Sequence, residues 1–144
     1  MSMLVPPLFV YGTLRDGEVF RLITGLDSRE VGAVPARAPG HVAMKVAGAS
    51  YPVLVAAAGE VAEGLVLTRL PAATLSPLDR YEGPGYRRAP LTVETAGGPV
   101  AAQVYVATAP PATDGRWSIE TWTARSKARF LAAISGTRIA AGGE

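Results

Sequence analysis

The sequence predicts an α+β fold: a mixed, mostly antiparallel sheet, able to close into a β-barrel, with short flanking helices. Three observations carry this. About six apolar or β-branched runs alternate with Gly- and Pro-rich turns. Several of their connections are too short for the helical crossovers that parallel neighbours need. Only a few segments carry a helical pattern, the best of them near the C-terminus.

Taken in order, residues 8–11 form a short apolar run bounded by prolines and Gly12, and they read as a central strand buried on both faces. Residues 19–23 fit a helical turn stopped at Gly25. Residues 28–46 carry β-branched residues punctuated by Pro35, Pro39 and Gly40, which predicts strands and turns, with His41 in a loop. Residues 51–57 and 61–68 read as two further strands, with Gly64 marking a bulge or a close backbone approach. Ser76-Pro77-Leu78-Asp79 resembles a helix start, with Ser as N-cap, Pro at the first helical position and Asp in the first turn. Gly83 is the matching stop, so Glu82 falls at the helix end. Residues 91–94 and 100–108 predict a hairpin around Ala96-Gly97-Gly98-Pro99, followed by a Pro-rich connector over 109–115. Residues 118–135 predict one helix. Ile119, Trp122, Phe130, Leu131 and Ile134 share its apolar face, and Arg125 and Arg129 form an exposed row. Gly136 ends it, and residues 139–144 read as a frayed tail.

Composition narrows the chemistry. At 144 residues the chain predicts a single domain over 1–144. Half of it is apolar (49%) and 18% is charged, a globular composition rather than a disordered one. The net charge is +2 and the basic residues are scattered, so nucleic acid is not an expected partner. There is no cysteine and one histidine, His41, which removes thiolate sites, Cys nucleophiles and multi-histidine zinc sites. Proton transfer falls mainly to carboxylates and tyrosines. The first ten residues lack the basic start of a signal peptide and contain Pro6 and Pro7, and residues 46–59 are too short and interrupted to span a bilayer. The expectation is a cytoplasmic protein without a membrane partner, monomeric or homodimeric.

Two segments stand out chemically. In Tyr11-Gly12-Thr13-Leu14 a strand ends at a glycine, which lets the backbone turn sharply and bring N–H donors together for a carboxylate or an oxyanion. An ordinary strand followed by a glycine turn fits the same residues. Glu82 sits among Tyr81, Gly83, Pro84, Gly85 and Tyr86, small and aromatic neighbours that can build a partly dry pocket. At a helix C-terminus both the dipole and desolvation favour the protonated carboxyl, as a general acid/base requires. A solvated glutamate in a last helical turn is the plain alternative.

Together these segments resemble the gamma-glutamylcyclotransferase-like superfamily, in the branch with the gamma-glutamylamine cyclotransferases and AIG2-like plant proteins. The resemblance rests on residues 9–15 and 78–83, and on Tyr51-Pro52-Val53-Leu54, the strand at 61–66 and Val104-Tyr105-Val106, in that family's order. It covers roughly residues 8–108 and leaves the C-terminal helix unmatched. It implies a mixed β-barrel with a cavity at one end, a small gamma-glutamyl compound as substrate, and no metal or cofactor. Tyr11, Gly12, Thr13 and Leu14 would bind that substrate, Tyr86 and Tyr105 would line the cavity, and Glu82 would be the acid/base for release of 5-oxoproline and an amine. Arg88 reads as a structural arginine that ties down a carboxylate, and Asp79 as a helix-start residue. Asp16 and Glu18 are either acids at the pocket mouth, favouring a cationic leaving group, or ordinary exposed charges. A non-catalytic module that binds a small metabolite in the same cavity is the alternative function.

Overall fold

A computed structural model describes residues 4–137. The tail expected over 139–144 lies outside the described residues. Five strands close into a barrel. β1 (Leu8–Val10) runs antiparallel to β3 (Pro52–Leu67), with Phe9 opposite Val66, and parallel to β5 (Gly98–Ala107), with Phe9 opposite Val104. β4 (Tyr86–Thr95) pairs with β5 along its whole length, from Tyr86↔Ala107 to Thr95↔Gly98. β2 (Ala33–Val46) pairs with β3 and meets β4 at Arg37↔Glu94, which closes the ring. A sixth strand, β6 (Thr113–Arg116), lies along the other side of β2.

The strands are longer than their sequence punctuation implies. Residues 28–46, expected as strands and turns, contain one continuous β2, and the two strands expected between 51 and 68 are a single β3. The breakers are absorbed as a bulge. The register jumps from Pro39↔Val61 to His41↔Ala56, with Gly40 and Gly59 at φ 78° and 80°. His41 is thus a strand residue, not a loop residue. The expected connector over 109–115 likewise includes the start of β6, an exposed edge strand.

β1 shows why a barrel with helices on it needs apolar residues on both strand faces. Successive side chains point to opposite faces. Phe9 packs with Ala36, Ala38, Leu54, Ala62, Val66, Val93, Ala102 and Val104, a cluster supplied by strands and hence the barrel interior. Its alanines suit the narrow bore of a five-stranded ring. Leu8 and Val10 face outward and join Phe20, Leu78, Tyr81, Trp122 and Ile134, where the helices cover the barrel.

Four short helices form that cover: α1 (Gly17–Thr24), α2 (Leu75–Glu82), α3 (Ile119–Arg125) and α4 (Lys127–Thr137). Asp16 caps α1, its Oδ1 accepting from the Glu18 and Val19 amides at 3.0 and 3.2 Å, and Gly25 ends it at φ 77°. α2 begins earlier than the sequence implies. A single 3₁₀ turn over Ala72–Thr74 leads into Leu75, so Ser76 and Pro77 lie inside the first turn and Ser76 is not the cap. Pro77 is tolerated there because first-turn amides have no intrahelical acceptor. Gly83 ends α2 at φ 86°, as expected. The single C-terminal helix is instead two, broken at Ser126 (φ −124°). Ser118 caps α3, and α4 continues past Gly136 to Thr137. The expected faces survive the break: Trp122 and Ile134 are buried, and Arg125 and Arg129 are exposed. No described helix is long and apolar enough to cross a membrane.

Candidate active site

Where β1 leaves the barrel, its end and the following turn line a small cavity with Pro52 at the start of β3, Glu82 at the end of α2, and Tyr105 on β5. Tyr11, Gly12, Thr13 and Leu14, the loop expected to bind substrate, all line it, so the cavity gathers six of the seven predicted site residues. Tyr86 is the exception. It lies in a larger adjoining groove with Asp79, Arg80, Gly83, Arg87, Arg88 and Tyr105. Position 86 opens β4 just beyond Gly83, opposite Ala107 at the end of β5.

The turn is built on short hydrogen bonds. Gly12 and Thr13 carbonyls accept from the Arg15 and Asp16 amides, both at 3.0 Å, forming a 3₁₀ turn over Thr13–Arg15. Gly12 has φ −117°, so its conformation alone does not demand glycine. Its surroundings do: a Cβ at this position would lie 2.9 Å from Pro52 Cγ. The Thr13 hydroxyl, buried at the cavity wall, hydrogen-bonds the Tyr81 hydroxyl at 2.7 Å. Tyr81, expected only as an aromatic neighbour of Glu82, is thus also tied to the turn. Its signal was its position in α2, one residue before Glu82.

Glu82 is 5% exposed, a rarity for a carboxyl and a departure from the solvated last-turn glutamate. Little water reaches it, and Phe9, Val10 and Leu14 border the same cavity. A glutamate this buried is a candidate functional group on burial alone.

A second network braces the opposite wall. The Tyr11 hydroxyl donates to the Tyr105 carbonyl at 3.2 Å. The Tyr105 hydroxyl donates to Asp79 Oδ1 at 2.5 Å, and Arg88 grips the same carboxylate through Nε and Nη2 at 3.1 and 3.2 Å. Arg88 therefore ties down a carboxylate, as expected. Asp79, in contrast, is no helix-start residue: it lies past the first turn of α2, linking that helix to β4 and β5. Burial pushes the Tyr105 phenol far above its ordinary value of 10.0. The Asp79 hydrogen bond and the Asp79 and Glu82 charges add to the rise, and Arg88 opposes it. A phenol whose folded pKa exceeds its unfolded one contributes stability that is complete below the unfolded value and is lost as pH rises above it. Thermal melts of the wild type and Tyr105→Phe from pH 8 to 11 test this. The wild type should lose stability above about pH 10 more steeply than the variant, and parallel curves would contradict the assignment.

Asp16 and Glu18 do not stand free at the cavity mouth. Both carboxylates bind Lys127 of α4 at 2.8 Å, and Asp16 also caps α1. Their pull on a cationic leaving group is accordingly spent within the protein. Pro52, Phe9 and Val10 complete the lining. All three belong to segments on which the family resemblance rests, although none was named as a site residue.

A closed, mixed five-stranded barrel with short covering helices, and a small cavity walled by a buried carboxyl and a glycine turn, has the architecture of the gamma-glutamyl cyclotransferase-like α+β fold. The sequence profile described as gamma-glutamyl cyclotransferase, AIG2-like, matches residues 8–124, and the chain belongs to that family. No curated protein sequence matches it significantly. Among solved structures it is similar to the Arabidopsis thaliana protein At5g39720.1, with 25% identity over 93% of this chain and 91% of that one and a TM-score of 0.68. It is also similar to At3g28950.1 of the same plant, with 25% identity, 95% and 84% coverage, and a TM-score of 0.69. An AIG2-like protein of Mus musculus shares the fold at 23% identity, 81% and 90% coverage, and a TM-score of 0.57.

Proposed function

We propose that the protein is a gamma-glutamyl cyclotransferase with Glu82 as its general acid/base. The observation that carries this reading is the buried Glu82 carboxyl in one cavity with the Tyr11–Leu14 turn. The turn holds the glutamyl end of the substrate. Glu82 takes a proton from the substrate's α-ammonium, and the freed amine attacks its own γ-carbonyl carbon. The tetrahedral intermediate collapses with cleavage of the bond to the leaving nitrogen, which receives the proton from Glu82; the regenerated carboxylate then takes the second proton from the ring nitrogen and passes it to the departing amine. The products are 5-oxoproline and a free amine.

This chemistry suits so sparse a site. The nucleophile resides in the substrate, so the protein need only fold the glutamyl chain back on itself. Proximity of this kind supplies up to about 7–11 kcal/mol in well-oriented intramolecular reactions. A positioned carboxyl adds roughly 10²–10⁴-fold. A water-poor wall strengthens any donor at the developing oxyanion. We place the reaction in the cytoplasm.

The leaving amine extends into the adjoining groove past Tyr86. That groove carries Arg80, Arg87 and Arg88 against the single carboxylate of Asp79, which Arg88 already engages. A leaving group bearing a carboxylate is therefore favoured over a polyamine. With a carboxylate-bearing substrate, Arg87→Glu should raise KM about tenfold. An unchanged KM would remove Arg87 from the path.

Release of 5-oxoproline, followed by mass spectrometry over a panel of gamma-glutamyl amines and dipeptides, tests the reaction. Product formation supports it. A folded protein that binds panel members and releases no product is instead a metabolite-binding module.

A further inference from the structure

The C-terminal helix lies beyond the family match, which stops at residue 124. Two of its side chains nevertheless reach the Tyr11–Leu14 turn by separate routes. Lys127, the first residue of α4, places Nζ 2.8 Å from Asp16 Oδ2 and 2.8 Å from Glu18 Oε1. Asp16 uses its other oxygen to cap α1, and its amide donates to the Thr13 carbonyl at 3.0 Å. Lys127 thus holds the far end of the turn through one shared carboxylate. Phe130 lies one helical turn on, on the same face as Lys127. Its ring meets Tyr81 edge-on, at 6.4 Å between centroids and 82° between planes. Tyr81 in turn hydrogen-bonds the Thr13 hydroxyl. Both routes therefore converge on Thr13, one through its backbone and one through its side chain.

We infer that α4 is a brace for the substrate turn, with Lys127 a positioning residue for the reaction at Glu82. The ion pair is the informative half of this brace. Asp16 has a side chain only 10% exposed and Lys127 22%, so water screens the contact less than at an open surface. Its hydrogen bonds to Asp16, then Glu18, hold the Lys127 ammonium above its ordinary value. An 11-residue helix that merely covered apolar core would not need a buried-side lysine reaching two acids of another element. The turn itself has few anchors of its own: a single 3₁₀ turn between a three-residue strand and α1. Elements with so little local support open readily unless a neighbour holds them.

The test rests on the proposed reaction only in part. Hydrogen exchange is measured for the full chain, wild type against Lys127→Met and Lys127→Arg, with 5-oxoproline kinetics in parallel. In Lys127→Met the amides of Asp16 and Phe20 should exchange about tenfold faster, with the β4–β5 hairpin unchanged. KM should rise about tenfold while kcat changes less, and Lys127→Arg should restore both readouts. Unchanged exchange at residues 13–20, or a uniform rise across the barrel, overturns the brace even if turnover persists. Faster exchange with wild-type KM overturns its role in the reaction. If the wild type turns over no gamma-glutamyl compound, the proposed reaction fails, and exchange alone decides whether α4 holds the turn.

Discussion

Replacing Glu82 by Gln is expected to abolish 5-oxoproline release while leaving the barrel folded. Gln fills the same volume at a site 5% exposed, so no cavity opens and no core contact is lost. What disappears is the ability to accept a proton from the substrate and return it. Loss of a positioned general acid/base costs about 10²–10⁴-fold in rate, and both proton transfers of the proposed cycle pass through this one group. Substrate affinity should persist, because the variant retains the turn that holds the glutamyl end. The decisive measurement pairs turnover with calorimetric binding and a thermal melt. A variant within tenfold of wild-type kcat would remove Glu82 from the mechanism, and loss of fold would make its role structural.

The largest expected effect on stability lies at Gly64. A Cβ built there would sit 2.2 Å from the Val10 carbonyl oxygen and 3.0 Å from the Phe9 ring. The first of these is backbone and cannot rotate away. Val10 pairs with Leu65 in the β1–β3 ladder, so relief requires pulling β1 from the barrel. Gly64→Val should destabilise the protein by about 3 kcal/mol or more and lower Tm by roughly 10 °C. Gly17→Ala is the matched comparison, because nothing lies within 4 Å of a Cβ there. That change should be neutral or slightly stabilising. Equal melting temperatures for Gly64→Val and the wild type would show that β1 does not approach β3 as closely as described.

β1 was legible in the sequence because a short apolar run between prolines and a glycine admits few readings, and its two faces are both buried in fact. Gly64 was legible for a related reason: a glycine inside a strand pattern signals a bulge or a close approach, and here it is the approach. The long β2 and β3 were not legible. Pro35, Pro39, Gly40 and Gly59 locally favour turns, and only pairing across the full β2–β3 ladder makes a bulge cheaper than a break. The start of α2 was misread for a similar reason. Ser76-Pro77 has the chemistry of a cap, but the 3₁₀ turn before it starts the helix two residues earlier.

The candidate site divides along the same line. Local sequence determined the apolar strand ending in a glycine turn, the short helix ending at Gly83, and hence a carboxyl at that helix's end. These depend on backbone preferences of neighbouring residues, which the chain carries with it. That Glu82 is buried, that it faces the Tyr11–Leu14 turn, and that Tyr86 does not, follow from how α2 seats on the barrel. The partners of Asp16, Thr13 and Asp79 are 111, 68 and 26 residues away at Lys127, Tyr81 and Tyr105. No local pattern encodes such pairs. They form only when closing the barrel brings distant segments together and burial makes an unpaired charge or hydroxyl costly.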